Sequence, residues 1–339
     1  MRKHATPEVP ASASQARSRI DPMPSIRPES RSPCLVGRSQ AKRSPYNFMM
    51  KILLAEHFGI CFGVRDAIAQ AEKLAASGPL TILGELVHNP VVCERLSALG
   101  VEEASTQPNE PAKIGKLMFT AHGVSDRVRE AWRESGHFIA DATCPLVRRA
   151  HTHLQALVAA GYFPVVIGRP GHVEVRGLTE DFSEAVVIEG PADLASLPPR
   201  PRYGIVSQTT QPIDRVRQLV DLIRQAHPDA EVRFVDTVCK PTKDRQEALQ
   251  QLLIDADLIV VVGGRTSNNT RQLVETCRAA GKRALHVERA EELIASDFSK
   301  VATIGVTAGT STLRETVEAV IARLAAISKN PETRPKPRS

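Results

Sequence analysis

The chain has 339 residues and a formal net charge of +6 at pH 7, but this charge lies at its two ends. Residues 1–49 carry +6 and residues 329–339 carry +3, which leaves −3 on residues 50–328. That distribution, together with 4% aromatic residues overall, disfavours a basic, base-stacking surface for nucleic acid. No run approaches the ~18 apolar residues of a membrane span, and the composition is that of a globular protein with a substantial core.

The two ends of the chain differ from its body. Residues 1–49 contain seven prolines and eight serines, so we predict a disordered basic extension. A misassigned start is the alternative, because Met49 and Met50 directly precede the first apolar run. This extension has no apolar stretch typical of an export signal, so a cytoplasmic location is expected. Residues 329–339, with three prolines, are predicted to be a disordered tail.

Short Val/Ile/Leu runs alternate with helical patterns along the body. The predicted elements in chain order are a strand at 52–55, a helix at 63–76, a strand at 80–83, a helix at 90–99, a strand at 116–120, helices at 125–135 and 145–160, strands at 163–167, 185–188 and 203–207, a helix at 212–226, a strand at 232–235, a helix at 242–256, a strand at 258–262, a helix at 268–280, a strand at 301–306 and a helix at 312–327. This alternation predicts an α/β fold with parallel sheets.

Cysteine recurs at one place in this pattern, in a short loop before a helix. Cys61, Cys144 and Cys239 occupy the three loops, and each is followed by two polar loops. The first polar loops contain His88, His172 and Asn268, and the second contain His122, Thr209 and Ser311. Strand–loop–helix spacing repeats automatically in α/β proteins, but a cysteine at the same place does not.

The repeat predicts three pseudo-symmetric α/β units in a trefoil around a central cavity. We place the first unit at 62–144 and the second at 145–235. The third combines 50–61 with 236–328. Loops beyond the carboxyl ends of parallel strands usually build the site, so three thiols and six polar loops should meet there.

Three thiols so far apart in sequence restrict the possible chemistry. A disulfide framework fits a large core without an export signal poorly, and the C-x₂₋₄-C pairs of most zinc sites are absent. An iron–sulfur cluster fits better, and one held by three cysteines leaves an iron open to substrate. Cys34 lies in the extension, while Cys93 and Cys277 lie in helical patterns as small apolar residues.

The polar loops indicate an anionic ligand. Several precede predicted helices, where backbone N–H groups and the helix dipole attract anions. The predicted diphosphate cradle comprises His88, His122, His172, Thr266, Ser267, Asn268 and Ser311. Glu174 follows His172 by two residues, which on an extended segment places both on one face. A carboxyl group in such a dry cavity can acquire a raised pKa and donate a proton, and Thr209 is predicted to assist in binding a substrate hydroxyl.

These motifs together resemble the 4-hydroxy-3-methylbut-2-enyl diphosphate reductase family (LytB/IspH type), over about residues 50–328. The matching segments are Cys61 in GICFGV, His88-Asn89, Ala121-His122-Gly123, Asp141 to Pro145 (DATCP), Gly171 to Val175 (GHVEV), Gln208-Thr209-Thr210, Asp236 to Cys239, Thr266 to Asn269 and Ala308 to Ser311. Arg176 and Leu178 vary the pattern after Glu174, and Thr266 replaces a serine.

The resemblance implies a trefoil fold and a [4Fe–4S] cluster on Cys61, Cys144 and Cys239, with one open iron that binds the substrate oxygen. The implied reaction is the last step of the methylerythritol phosphate pathway. In it, two electrons and two protons remove an allylic hydroxyl as water, giving isopentenyl and dimethylallyl diphosphate. By motif match, the diphosphate is held by His88, His122, Thr266, Ser267, Asn268 and Ser311, and His172 lines the same pocket. Glu174 delivers a proton, and Thr209 helps. Ferredoxin or flavodoxin is the implied electron donor, and no nucleic-acid or membrane partner is expected.

The residues alone leave two other functions possible. A redox-sensing regulator would carry a cluster without a substrate pocket and bind nucleic acid through its basic ends. A zinc-dependent phosphoesterase would contain zinc and neither iron nor sulfide.

Overall fold

The structure is a computed structural model that describes residues 50–106 and 115–329. The predicted extension, including Cys34, lies outside the described residues. So does the predicted tail, except for Lys329, which ends the last helix.

Twelve strands form three parallel sheets of four strands each within the described residues. In chain order the strands are β1 (Lys51–Leu54), β2 (Leu80–Leu83), β3 (Glu102–Ala104), β4 (Lys116–Phe119), β5 (Ile139–Asp141), β6 (Phe163–Ile167), β7 (Val186–Ile188), β8 (Arg202–Ser207), β9 (Glu231–Phe234), β10 (Leu258–Val262), β11 (Arg283–Val287) and β12 (Thr303–Ala308). The three strand orders are β5-β4-β2-β3, β9-β8-β6-β7 and β1-β12-β10-β11. The predicted α/β class with three units is confirmed.

The three sheets share one arrangement. A cysteine loop follows the edge strands β5, β9 and β1, and a polar loop follows each of the next two strands inward. Each sheet takes its strands from one predicted unit, and the unit boundaries themselves stay a prediction. Because parallel strands end at the same edge of a sheet, every unit presents three loops side by side.

Nine α-helices connect the strands within the described residues. They are α1 (Phe62–Ala75), α2 (Pro90–Ala98), α3 (Asp126–Glu134), α4 (Pro145–Ala159), α5 (Val173–Thr179), α6 (Ile213–Ala226), α7 (Lys240–Asp255), α8 (Asn268–Ala279) and α9 (Arg314–Lys329). The eight predicted helices begin and end within two residues of these positions. The prediction of an extended segment at Glu174 is wrong, because Glu174 lies in the first turn of α5. That helix begins at His172, whose Nδ1 accepts a hydrogen bond from the Glu174 N–H at 3.1 Å.

The cores lie between the sheets and their helices. All five residues of β10 are fully buried, as expected for a parallel strand covered on both faces. Helix α6 buries Val216, Leu219, Val220 and Ile223, which recur at helical spacing. None of the helices in the described residues combines the length and apolar character that crossing a bilayer requires.

Candidate active site

The three cysteines occupy equivalent positions. Cys61, Cys144 and Cys239 are the N-cap residues of α1, α4 and α7. Each cysteine N–H donates to a carbonyl of the neighbouring polar loop: to Thr310 at 2.9 Å, to Ala121 at 3.0 Å and to Thr209 at 3.0 Å. The chain therefore repeats one backbone connection three times, and each connection ties a thiol loop to a loop predicted to bind substrate.

Two of the cysteine loops are also fixed by the same side-chain turn. Asp141 and Asp236 each lie three residues before the cysteine and accept a hydrogen bond from the N–H two residues on. A basic residue seven positions later pairs with each carboxylate at 2.7 Å, Arg148 with Asp141 and Lys243 with Asp236. Hydrogen bonds from Thr143 and the charges of nearby arginines lower the pKa of Asp141 to about 2 against the effect of burial. The Asp141 carboxylate stays ionised at neutral pH, and the hydrogen bonds and ion pairs of both carboxylates hold the two loops in place.

The thiols fit a group larger than a single metal ion. Among the described residues, no set of three or more His, Cys, Asp or Glu side chains is placed to hold one ion. A tetrahedral zinc site would need sulfurs about 4 Å apart, given Zn–S distances of about 2.3 Å. This arrangement counts against the zinc alternative, whereas a cluster of several iron and sulfide atoms accepts thiolates that are more widely spaced.

The thiol surroundings are dry. Burial raises the pKa of Cys144 and raises that of Cys239 to about 11, and the nearby Cys61 and Glu174 raise both further. The Thr242 hydroxyl lies 3.1 Å from the Cys239 sulfur. A metal bound by these partly buried thiols would have to displace their protons, after which its positive charge would balance the thiolates.

Gly63 leaves room for one of these thiols. A Cβ atom at this position would lie 2.5 Å from the Cys144 sulfur. We expect Gly63→Ala to displace the thiol and to lower the iron bound per chain at least twofold, even though alanine favours a helix by about 1 kcal/mol. Iron analysis after anaerobic reconstitution checks this. Gly190→Ala provides a control for added bulk, since its φ is −149° and the nearest atom to its Cβ position is 3.7 Å away. Iron retention equal in both variants would contradict the expectation.

Three histidines meet beside the thiols. The ring centroids of His88 and His122 are 4.6 Å apart. The ring centroid of His172 lies 5.3 Å from that of His88 and 5.7 Å from that of His122. Burial lowers the pKa of His122 well below its usual value and lowers that of His172 to about 3, and His88 contributes to both shifts. His122 and His172 are therefore neutral at pH 7 and can each donate one N–H.

Two of these rings carry buried nitrogen atoms without partners. His88 Nε2 and His122 Nδ1 contact no hydrogen-bonding atom of the described protein. The other side of His88 is fixed, because its Nδ1 lies 2.7 Å from Glu85 Oε2. Buried polar atoms nearly always find a partner, so these nitrogens indicate a polar ligand between the rings.

The third unit closes the opposite wall. Ser311 Oγ lies 3.3 Å from the His88 carbonyl, and Asn89 Nδ2 donates to the Ser311 carbonyl at 2.6 Å. Asn268, at the start of α8, donates to Thr210 Oγ1 at 2.9 Å. Loops from all three units are thus hydrogen-bonded to one another around the histidines.

Glu174 lies at the base of the cavity. It is 2% exposed, and its Oε1 accepts a hydrogen bond from the Thr209 N–H at 2.6 Å. Burial raises the pKa of Glu174 to about 7, although the Thr209 hydrogen bonds lower it. The carboxyl group therefore exchanges a proton in the neutral range, as a proton donor must.

One cavity of about 330 Å³ brings most of the predicted residues together. Of the predicted set, its walls contain His88, His122, His172, Glu174, Ser267, Asn268 and Ser311. Thr266 lines the adjoining cavity instead, and buried Thr209 contributes through Glu174. Thr210, Asn269 and Thr310 also line the cavity, and the sequence analysis missed them as site residues. Their position directly beside predicted residues was the available signal.

The thiol loops and the cavity lie within a region that matches a known protein family. The model of the family described as LytB protein matches residues 52–325, which include all three cysteine loops and both walls of the cavity. The chain belongs to the LytB family.

The matches between this LytB chain and two named relatives cover nearly the whole length of each relative. Proteins named 4-hydroxy-3-methylbut-2-enyl diphosphate reductase from Geotalea uraniireducens and Aquifex aeolicus are 36% and 34% identical. These matches cover 83% and 81% of this chain and 99% and 96% of the relatives. LytB proteins are iron–sulfur oxidoreductases that act on a small allylic diphosphate.

Two solved structures resemble the chain. The E-1-hydroxy-2-methyl-but-2-enyl-4-diphosphate reductase of Plasmodium falciparum gives a TM-score of 0.77 at 27% identity, covering 84% of this chain and 89% of that one. A structure described as (E)-4-hydroxy-3-methyl-but-2-enyl diphosphate reductase, the terminal enzyme of the non-mevalonate pathway, gives 0.58 at 34% identity, covering 82% and 100%. The predicted family is confirmed.

Proposed function

We propose that this chain is a 4-hydroxy-3-methylbut-2-enyl diphosphate reductase. The allylic C–O bond breaks, two electrons and two protons are taken up, and the hydroxyl leaves as water. The products are isopentenyl and dimethylallyl diphosphate. One observation carries the proposal: buried Glu174 lies in the same cavity as the unpartnered histidine nitrogens, beside two of the three thiols.

The diphosphate is held by histidine, hydroxyl and amide donors and by the start of a helix. His88 and His122 offer ring nitrogens that lack protein partners. Ser267 and Asn268 present a hydroxyl and an amide at the start of α8, where N–H groups and the helix dipole attract a phosphate. Ser311 supplies a further hydroxyl, His172 lines the same wall, and Thr266 belongs to the same turn one residue before Ser267.

Cys61, Cys144 and Cys239 would hold one [4Fe–4S] cluster with three cysteine ligands. When bound, this group supplies electrons and an open iron that acts as a Lewis acid toward the hydroxyl oxygen. The chain contributes a buried carboxyl group beside it, since Glu174 is 2% exposed. Electrostatic interactions with the substrate are strengthened where water is excluded.

Glu174 would provide the proton. With a pKa of about 7 it is about half protonated at neutral pH, and its Oε1 is oriented by the Thr209 N–H. Thr209 would in turn assist in positioning the substrate hydroxyl. A reduced ferredoxin or flavodoxin would deliver the electrons, as the family resemblance implies.

Anaerobic turnover tests the proposal. Reconstituted protein with a strong chemical reductant should convert the hydroxylated diphosphate into both products, detected by mass spectrometry, and zinc-loaded protein should not. Protein that contains iron and sulfide but gives no reductant-dependent product would overturn it. A redox regulator is disfavoured, because such a protein needs no cavity with unpartnered histidines.

A further inference from the structure

A second cavity adjoins the proposed active site and differs from it in charge. It is open to solvent, and His88 and His172 line both it and the first cavity, so the two cavities adjoin at these side chains. Four arginines line it: Arg169, Arg176, Arg265 and Arg271. We call this second cavity the arginine vestibule.

Not all of this positive charge is balanced. Arg265 pairs with Glu288 and Glu292, and Arg271 lies 3.8 Å from Glu275. Arg169 and Arg176 have no ion pair with any described residue within 4 Å. The acidic wall residue Glu85 is engaged with His88.

The positive charges of the arginine vestibule act on a histidine of the proposed active site. After burial and His88, the guanidinium groups of Arg169, Arg176 and Arg271 are the main groups that lower the pKa of His172. The body of the chain carries −3 overall and its substrate class is strongly anionic. Local positive charge at the mouth of a cleft concentrates anions there and raises association rates by about 10- to 1,000-fold.

We propose that the arginine vestibule captures the diphosphate end of the substrate through Arg169 and Arg176 before the substrate reaches the histidines. The inference rests on the proposed function. In the bound state the neutral histidines and the α8 terminus hold the diphosphate, and the two arginines remain outside. Their effect therefore lies on association more than on turnover.

The double variant Arg169→Gln/Arg176→Gln tests this capture. At low ionic strength we expect kcat/KM of the variant to fall about tenfold, while kcat changes less than twofold. In high salt the charges are screened, so kcat/KM of the variant should approach that of the wild type. Inhibition by inorganic diphosphate should weaken in parallel. Arg127→Gln/Arg323→Gln removes the same charge from exposed positions that line neither cavity and should match the wild type.

Three results would overturn the proposal: kcat/KM equal to wild type at low salt, a loss that persists in high salt, or an equal loss in the control. Absence of turnover in the wild type would instead count against the proposed function. Calorimetric binding of inorganic diphosphate to the holoprotein would then still decide whether the vestibule captures anions.

A different observation concerns Arg245, which the sequence analysis did not single out. This residue is 6% exposed, and its guanidinium donates to the carbonyls of Gly59 and Pro241. Gly59 precedes Cys61 by two residues, and Pro241 follows Cys239 by two. One buried cation thus joins the first and third thiol loops.

The charge of Arg245 lacks a carboxylate partner among the described residues, and its buried Nε has no hydrogen-bond partner. The groups whose negative charge would interact most strongly with it are Cys61 and Cys239, once both bind a cluster as thiolates, followed by Asp244. An unpaired buried cation is strongly unfavourable unless nearby negative charge offsets it. We propose that Arg245 is a positioning residue that balances the cluster thiolates and raises the reduction potential of the cluster.

Redox titration followed by electron paramagnetic resonance tests this role. Arg245→Gln should shift the one-electron equilibrium about tenfold toward the oxidised form, or 59 mV, whereas Arg245→Lys should remain nearer the wild type. A potential unchanged in Arg245→Gln would overturn the proposal. If Arg245→Gln retains no cluster, iron retained by Arg245→Lys supports a requirement for charge, and equal loss in both variants contradicts it.

Discussion

Replacing Glu174 with Gln is expected to lower kcat at least 100-fold while iron content and substrate affinity stay near those of the wild type. Proton transfer by a placed acid contributes about 10²- to 10⁴-fold, and Gln cannot donate a carboxylic proton. The amide has nearly the same shape, so the hydrogen bond from the Thr209 N–H can persist. Steady-state kinetics and iron analysis on the same preparation measure both quantities.

Glu184→Gln is the matched control for this change. Glu184 lies in the same unit, is exposed and pairs with Arg200 on the surface. Its variant should retain full activity. Turnover by Glu174→Gln at the rate of the control would remove Glu174 from the mechanism.

The pH dependence follows from the same carboxyl group. Burial raises the pKa of Glu174 from 4.5 to about 7, so the donor form dominates below pH 7 and is lost as the pH rises through 7. The kcat of the wild type should therefore fall on the alkaline side of neutrality, whereas any residual kcat of Glu174→Gln should lack this limb. A wild-type profile that rises between pH 6.5 and 8.5 would contradict the assignment.

Replacing Cys239 with Ser should remove the cluster and lower activity at least 100-fold. A hydroxyl is a far weaker ligand for iron than a thiolate, and Cys239 lies at the start of α7 with no neighbouring thiol in the same loop. Iron and acid-labile sulfide per chain, measured after anaerobic reconstitution, should both drop by more than half.

Cys93→Ser controls for loss of a thiol elsewhere. Cys93 lies in α2, is half-buried and contacts the Val87 carbonyl. This variant should retain its iron, sulfide and activity. Equal metal content in Cys239→Ser and Cys93→Ser would show that Cys239 is not a ligand.

The elements with strong local signals could be predicted from the sequence. Fully apolar strands such as β10 and amphipathic helices such as α6 have the periodicity that their burial requires. The sequence analysis did not predict β3, β5 or β11. Strands β3 and β5 have three residues each and include charged side chains, and β11 contains Arg283 and His286. Helix α5 was missed for a related reason: its seven residues are stabilised by the His172 cap and by tertiary packing more than by their own pattern.

The site residues also differ in whether the sequence alone could predict them. The cysteines and histidines are chemically conspicuous, and their recurrence at one place in each unit predicted a common cavity. The contribution of Arg245 depends on a contact between residues 186 positions apart, and that of Arg169 and Arg176 depends on how two cavities join. Such contributions come from tertiary proximity, which charge counts along the chain do not contain.

The net charge of the chain differs from the local charge at the site. The positive excess belongs to the two ends of the chain, while the described body contains a cavity lined by four arginines beside the active-site histidines. Recognition of an anion here depends on where a few arginines lie and not on the total charge.

The central claim is that three loops hold a cluster in front of the proton donor and that substrate binds between them. Mössbauer spectroscopy of anaerobically reconstituted, ⁵⁷Fe-labelled protein, before and after substrate is added, tests it most directly. We expect four irons and four sulfides per chain, with the signal of one iron changed by substrate. Four equivalent irons that do not respond to substrate, or zinc without sulfide, would contradict it.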